Sequence, residues 1–140
     1  MSFCLDTNFI VSILFVDSHT ARAFGWLERN RAQLLVSDWV ATELFALIQR
    51  RVRAGTLSEE IATAAIAEFH AFADGRAERL LLSPAAGARA AGFARNPALK
   101  LSAADALHLA LSVEGGHCLV TFDVRLADAA KTLDFEAETP

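Results

Sequence analysis

The chain has 140 residues, 54% hydrophobic and 21% charged, a balance that excludes a disordered chain and suits one domain, residues 1–140, with a single core. Its net charge of −4 argues against non-specific nucleic-acid binding, which needs a basic surface. No apolar stretch is long enough for a bilayer and no secretory leader pattern is seen; Cys4 and Cys118, without a CxxC or Cys/His cluster, read as reduced thiols of a cytoplasmic protein, not as a disulfide or a zinc site.

Phe3-Cys4-Leu5 is an apolar run that meets an acid at Asp6, and Phe9, Ile10, Ile13 and Leu14 follow at helical spacing. This predicts a short buried strand turning directly into a helix, with Asp6 at the turn. Asp17-Ser18-His19-Thr20 breaks that helix. A second helix is expected from about Ala21 to Arg31, with Phe24 and Leu27 as its leading apolar residues and Trp26 a further candidate. Leu34-Leu35-Val36 reads as a strand. Ser37 and Asp38 then open a long helix to about Arg53, whose stripe of Val40, Leu44, Leu47, Ile48 and Val52 keeps the 3.6-residue period. Ser58 caps the next helix, with Glu59 and Glu60 in its first turn, and that helix ends near Asp74-Gly75.

Leu80-Leu81-Leu82 predicts a third strand, and Ser83-Pro84 starts an alanine-rich helix broken by Asn96-Pro97. Ser102 opens a helix to about Val113. Cys118-Leu119-Val120 is a fourth strand ending at Thr121-Phe122-Asp123, followed by a short helix, and Leu133–Phe135 is the candidate for a last edge strand. Strands alternating with helices imply a parallel sheet covered on both faces.

Four acids stand out by position. Asp6 and Asp123 each follow a predicted strand, where ligands bind in open α/β sheets. Each is also an ordinary N-cap. Asp105 falls three residues after Ser102, where a capping box accounts for it equally well. Glu43 lies inside the long helix, and taken alone it is a solvated helix-face glutamate or one half of a salt bridge. Asp38 is better explained as a helix-start residue. Together, Asp6, Glu43, Asp105 and Asp123 could reach one edge of the sheet. Gathered carboxylates repel unless a cation compensates them. Hard divalent ions do so, and such sites serve phosphoryl chemistry.

These residues resemble the PIN-domain ribonucleases, most closely the toxin component of VapBC toxin–antitoxin pairs. The resemblance covers essentially the whole chain. It is carried by Leu5-Asp6-Thr7-Asn8, Thr42-Glu43-Leu44, Ser102-Ala103-Ala104-Asp105-Ala106-Leu107-His108-Leu109-Ala110 and Thr121-Phe122-Asp123-Val124-Arg125-Leu126. It implies a three-layer α/β/α fold with a parallel sheet of order 3-2-1-4-5, and Mg²⁺- or Mn²⁺-dependent endoribonuclease activity. By position it makes Asp6 and Asp105 principal metal ligands and Asp123 a further ligand or one acting through water. Glu43 becomes the acid that supports the metal or orients the attacking water, and Asn8 and Thr121 site-lining groups. It also implies a cognate antitoxin that obstructs the site, and homodimers. His108 has the chemistry of a catalytic base, but the resemblance requires no histidine there, and a hydrogen-bonded core or groove residue is the preferred expectation. Arg50, Arg51 and Arg53 either hold RNA phosphates or form a solvated helix end.

Three other readings stay open. The substrate could be DNA or a housekeeping RNA, or the domain could bind a partner without catalysis. A phosphatase of the haloacid-dehalogenase kind ranks lower, because Asn8 stands where that chemistry needs a second acid.

Overall fold

The computed structural model describes residues 1–140. The elements run β1 Ser2–Leu5, α1 Thr7–Leu14, α2 Thr20–Arg29, β2 Gln33–Ser37, α3 Asp38–Arg53, α4 Glu59–Gly75, β3 Glu78–Leu80, α5 Pro84–Ala94, α6 Ala103–Gly115, β4 Cys118–Val120, α7 Val124–Thr132 and β5 Ala137–Glu138. A 3₁₀ turn, Pro97–Leu99, joins α5 to α6. All strand pairs are parallel and lie in the order β3-β2-β1-β4-β5. The chain therefore forms the expected three-layer α/β/α sandwich.

The period-2 alternation of the strands sorts the layers. Phe3 and Leu5 of β1, Leu34 and Val36 of β2, and Cys118 and Val120 of β4 point to one face. There they pack with Phe9, Ile10, Trp26, Val40, Leu44, Ile48 and Phe69 from α1 to α4. Leu119 points to the other face, against Leu109 of α6 and Leu126 and Ala130 of α7. Alanines make the α5–α6 contact: Ala86 and Ala90 meet Ala106 and Ala110, with Leu111 beside them. Both cysteines are free and buried on adjacent strands. Burial pushes both thiols up to about 11, which keeps them protonated.

The strand order reverses between β1 and β4. Chain connections leave β1 for β2 and β3 on one side, and β4 and β5 fill the other side. That reversal opens a crevice beyond the carboxyl ends of the central strands, the general ligand position of such sheets. Asp6 follows β1 and Asp123 stands just beyond β4, so both acids flank the crevice. The Asp6 backbone N–H donates to Val120 O at 3.0 Å, which ties the two strand ends together.

Several sequence expectations need correction. In α2 the buried aromatic is Trp26, while Phe24 is half exposed. Trp26 reaches the core because it meets Phe3 and Phe9 edge-on at centroid distances of 5.0 and 5.4 Å. The third strand is Glu78–Leu80, not Leu80–Leu82. Its register is fixed by Leu35, Val36 and Ser37 of β2, and Leu81 and Leu82 lie past the end of that ladder, exposed. The last strand is Ala137–Glu138, not Leu133–Phe135. Asp134 takes a left-handed φ of 61°, which breaks an extended run there, and Leu133 and Phe135 serve as packing residues instead.

Helix α6 begins with a complete capping box. The Asp105 N–H donates to Ser102 Oγ at 3.1 Å, and the Ser102 N–H donates to Asp105 Oδ2 at 3.4 Å. It stops at Gly116, whose φ of 66° suits glycine. Ser102→Ala is expected to lower unfolding stability by about 1 kcal/mol, read as a shifted urea midpoint at unchanged m-value, since it leaves the Asp105 N–H in the first turn of α6 without its acceptor.

Candidate active site

The crevice is an open cavity of about 660 Å³ lined by Asp6, Thr7, Asn8, Asp17, His19, Glu43, Asp105, His108, Phe122, Asp123 and Arg125, among others. Every acid singled out in the sequence therefore faces one space. They do not meet equally closely.

The tight group is Asp6, Glu43 and His108, each of which offers a ligand atom within 4.8 Å of the others. Asp6 is the N-cap of α1 and is 5% exposed. One of its oxygens accepts from the Thr7 N–H at 2.6 Å, and the other accepts from the Thr121 hydroxyl at 2.6 Å. Glu43 projects from the second turn of α3 and accepts from the Thr7 hydroxyl at 2.6 Å. His108, one turn beyond Asp105 on α6, is 2% exposed. Its Nε2 hydrogen-bonds Glu43 Oε2 and lies 3.2 Å from Asp6 Oδ1 and 3.3 Å from Thr7 Oγ1.

Asp105 and Asp123 stand apart from this trio on the cavity wall. Asp105 is engaged in the capping box of α6. Asp123 caps α7, accepting from the N–H groups of Arg125 and Leu126 at 2.9 and 3.3 Å, and its other oxygen is 3.7 Å from Arg125 Nη2. Both line the cavity. Capping a helix and lining the cavity thus coexist in the same residues.

Asn8 and Thr121 form a fastening between α1 and the end of β4. Asn8 Nδ2 donates to Thr121 Oγ1 at 3.1 Å, and Asn8 Oδ1 accepts from the Phe122 N–H at 3.0 Å. Thr121 Oγ1 also accepts from the Asp123 N–H at 2.9 Å. Thr121 is fully buried, so it acts behind Asp6 and Asp123 and not at the surface of the cavity.

The electrostatics follow from burial and charge. Burial pushes the Asp6 carboxyl above the usual carboxylate range, against the opposing pull of His108, Thr121 and Thr7, and Glu43 adds to the rise. Glu43 is less buried. Its desolvation is outweighed by the hydrogen bonds from His108 and Thr7, which hold it below its ordinary value. For His108, desolvation favours the neutral ring, but Glu43, Asp6 and Asp105 together overcome it and raise its affinity for a proton. No lysine or arginine pairs with Asp6 or Glu43. Asp6 and Glu43 are therefore held in place by neutral donors, with the His108 imidazole as their one basic partner. That donor set fits a hard divalent cation, which takes carboxylate oxygens and neutralises their repulsion.

Sequence reading passed over two residues of the cavity wall. Thr7 holds Glu43 in place, yet in sequence it is only the first residue of a helix. His19 stacks on Phe122, with ring centroids 4.4 Å apart and planes 13° apart. Its loop reads only as a helix break, and no local pattern marks it.

Carboxylates gathered at the strand-order reversal of a parallel α/β/α sheet define a class of site, and the family can be stated as well. The model of the PIN domain matches residues 3–132, and the chain belongs to the PIN-domain family. Solved structures similar in fold include VapBC2 from Rickettsia felis bound to a DNA fragment from its promoter (TM-score 0.75, 17% identity, 99% of this chain and 98% of that chain). Another is Mycobacterium tuberculosis VapC20, described as a toxin that cleaves the sarcin-ricin loop (TM-score 0.73, 19% identity, 91% and 94% covered). A third is DNA-bound VapBC from Salmonella typhimurium (TM-score 0.70, 17% identity, 99% and 98% covered). At these identities the likeness is one of fold. Among curated protein sequences no significant match is found. No helix is long and apolar enough to cross a membrane.

Proposed function

We propose that this PIN-domain chain is a divalent-metal-dependent endoribonuclease, the toxin of a type II toxin–antitoxin pair. It hydrolyses RNA phosphodiesters with water activated at the crevice. The observation that carries this reading is the pairing of buried Asp6 with Glu43 across one cavity, held by Thr7 and Thr121 and free of any lysine or arginine partner.

Asp6, Asp105 and Asp123 are the carboxylates that would hold Mg²⁺ or Mn²⁺, which when bound supplies charge neutralisation and a more acidic water. Glu43, fixed by the Thr7 hydroxyl, is placed to orient the attacking water and take up its proton. Asn8 and Thr121 keep the ends of β1 and β4 in register, so that Asp6 and Asp123 face the same phosphate. Leu47 lines the cavity, and Arg50 and Arg51 follow it by three and four residues on α3. This side of α3 offers cations to the RNA backbone as it leaves the site. Arg51 is held there over the Phe15 ring at 5.3 Å. The VapBC and VapC20 likenesses favour a cognate antitoxin as partner and RNA as substrate, and a homodimer in the cytoplasm is part of the same reading.

The test is cleavage of a mixed RNA pool by the full chain with Mg²⁺, Mn²⁺ or EDTA, for the wild type and Asp6→Asn. Metal-dependent cutting is expected in the wild type. The variant is expected to lose at least about 100-fold of it, since outer-shell changes alone cost up to that much, with an unchanged circular dichroism spectrum. Undiminished cutting by Asp6→Asn overturns the site, and preference for single-stranded DNA overturns the substrate.

A further inference from the structure

Three oxygen atoms converge on one nitrogen in the crevice. His108 Nε2 hydrogen-bonds Glu43 Oε2, lies 3.2 Å from Asp6 Oδ1, and lies 3.3 Å from Thr7 Oγ1. A ring nitrogen carries a single proton or a single lone pair, so it satisfies one such neighbour at a time. The Thr7 hydroxyl already donates its hydrogen bond to Glu43. Convergence of several donors on one point is, by contrast, the geometry of a cation's coordination shell. Ions of this size hold their ligands at about 2.0–2.2 Å, which puts neighbouring octahedral donors roughly 3 Å apart. The Asp6–His108 separation is already close to that spacing. Glu43, half-buried on α3, has room to draw back.

Resting on the metal-dependent reading above, we propose that His108 Nε2 is itself a ligand of the catalytic metal beside Asp6, with Glu43 drawn back to its place toward the water, which makes this a mixed nitrogen–oxygen site that takes transition-metal ions in preference to Mg²⁺. The chemistry of the donors sets the preference. Carboxylate and water oxygens suit Mg²⁺, whereas an imidazole nitrogen suits the later divalent ions, and affinity rises from Mn²⁺ through Co²⁺ to Ni²⁺. The fold commits His108 to this position. It is 2% exposed on a helix whose neighbouring residues Ala106, Leu109 and Ala110 are all buried in the core, so its ring has little freedom to leave the crevice. It lies three positions after Asp105, which places both on one face of α6 toward the cavity.

The experiment is pulsed electron paramagnetic resonance of the full chain loaded with Mn²⁺, together with Mn²⁺–Mg²⁺ competition by calorimetry. A nitrogen modulation from a directly bound imidazole is expected in the wild type, and it should change to the ¹⁵N pattern when histidine is ¹⁵N-labelled. It should vanish in His108→Gln and persist in His19→Gln, the other histidine of the cavity. In His108→Gln the preference for Mn²⁺ over Mg²⁺ should fall by about tenfold or more, the scale of effect seen for changes at a metal site. If His108→Gln fails to fold, the labelled wild type and His19→Gln still decide. Mn²⁺ bound in an Asp6-dependent way without nitrogen modulation overturns the ligand assignment while leaving the metal site standing. Mn²⁺ binding that Asp6→Asn leaves unchanged, or no binding at all, overturns the metal-dependent reading as well.

Discussion

Phe9→Ala is expected to be the most destabilising single change in the chain's central packing, costing about 3–5 kcal/mol. Phe9 is fully buried. Its ring stacks on Phe122 at 5.8 Å with planes 8° apart, and it meets Trp26 edge-on at 5.4 Å. Truncation removes an aromatic pair on each side and leaves a void between α1, α2 and the end of β4. Domains of this size have only about 5–15 kcal/mol in total, so the variant should sit near its unfolding threshold. The measurement is equilibrium urea denaturation, with Phe9→Leu as a smaller truncation expected to cost less than Phe9→Ala. Phe24→Ala on the exposed side of α2 should stay within about 0.5 kcal/mol. A cost for Phe9→Ala no larger than that of Phe24→Ala would show that the aromatic cluster does not carry the core. The consequence reaches function, because Phe122 lines the cavity and supports the His19 ring.

The parts of the fold that were legible in sequence are those written in short-range patterns. β1 and β4 could be placed because each is a fully apolar run ending at a polar residue, as strands buried on both faces must be. The long helix α3 declared itself by its stripe and its serine cap. Edge strands carry no such signature. β3 has only Leu80 partly buried, so the more apolar Leu81 and Leu82 misled, and the true register comes from pairing with β2. β5 is defined by backbone bonds alone: the Leu119 N–H donates to Glu136 O and the Thr121 N–H to Glu138 O. The site divides in the same way. Asp6 and Asp123 stand at strand ends and could be picked out one at a time. Glu43 and His108 are 65 residues apart, and nothing local says that they touch. His108 sits in an apolar helix, and its hydrogen-bond partners Glu43 and Thr7 belong to tertiary structure.

Thr121→Val should separate stability from metal affinity more sharply than any change at the acids themselves. The substitution keeps the branched shape of a buried side chain but deletes one hydroxyl that serves three partners. That hydroxyl donates to Asp6 Oδ2 at 2.6 Å, and it accepts from Asn8 Nδ2 at 3.1 Å and from the Asp123 N–H at 2.9 Å. Asp6 is nearly as buried as Thr121, so its carboxylate oxygen loses a donor that water cannot easily replace. A buried group left unpaired costs about 1–3 kcal/mol. Asn8 can turn some of its capacity elsewhere, since its carbonyl already accepts from the Phe122 N–H. The expected loss of unfolding stability without metal is therefore about 2–4 kcal/mol, at the upper end of that range or slightly beyond. Affinity for Mn²⁺ should fall by about 10–100-fold, because Asp6 is no longer aimed by its neighbour. Thr121→Ser, which restores the hydroxyl without the methyl, should recover the metal affinity but only part of the stability. Calorimetric titration with Mn²⁺ and urea denaturation in EDTA measure the two quantities independently. If Thr121→Ser and Thr121→Val weaken Mn²⁺ binding equally, the hydroxyl does not orient Asp6, and the hydrogen bond at the end of β4 serves only the fold.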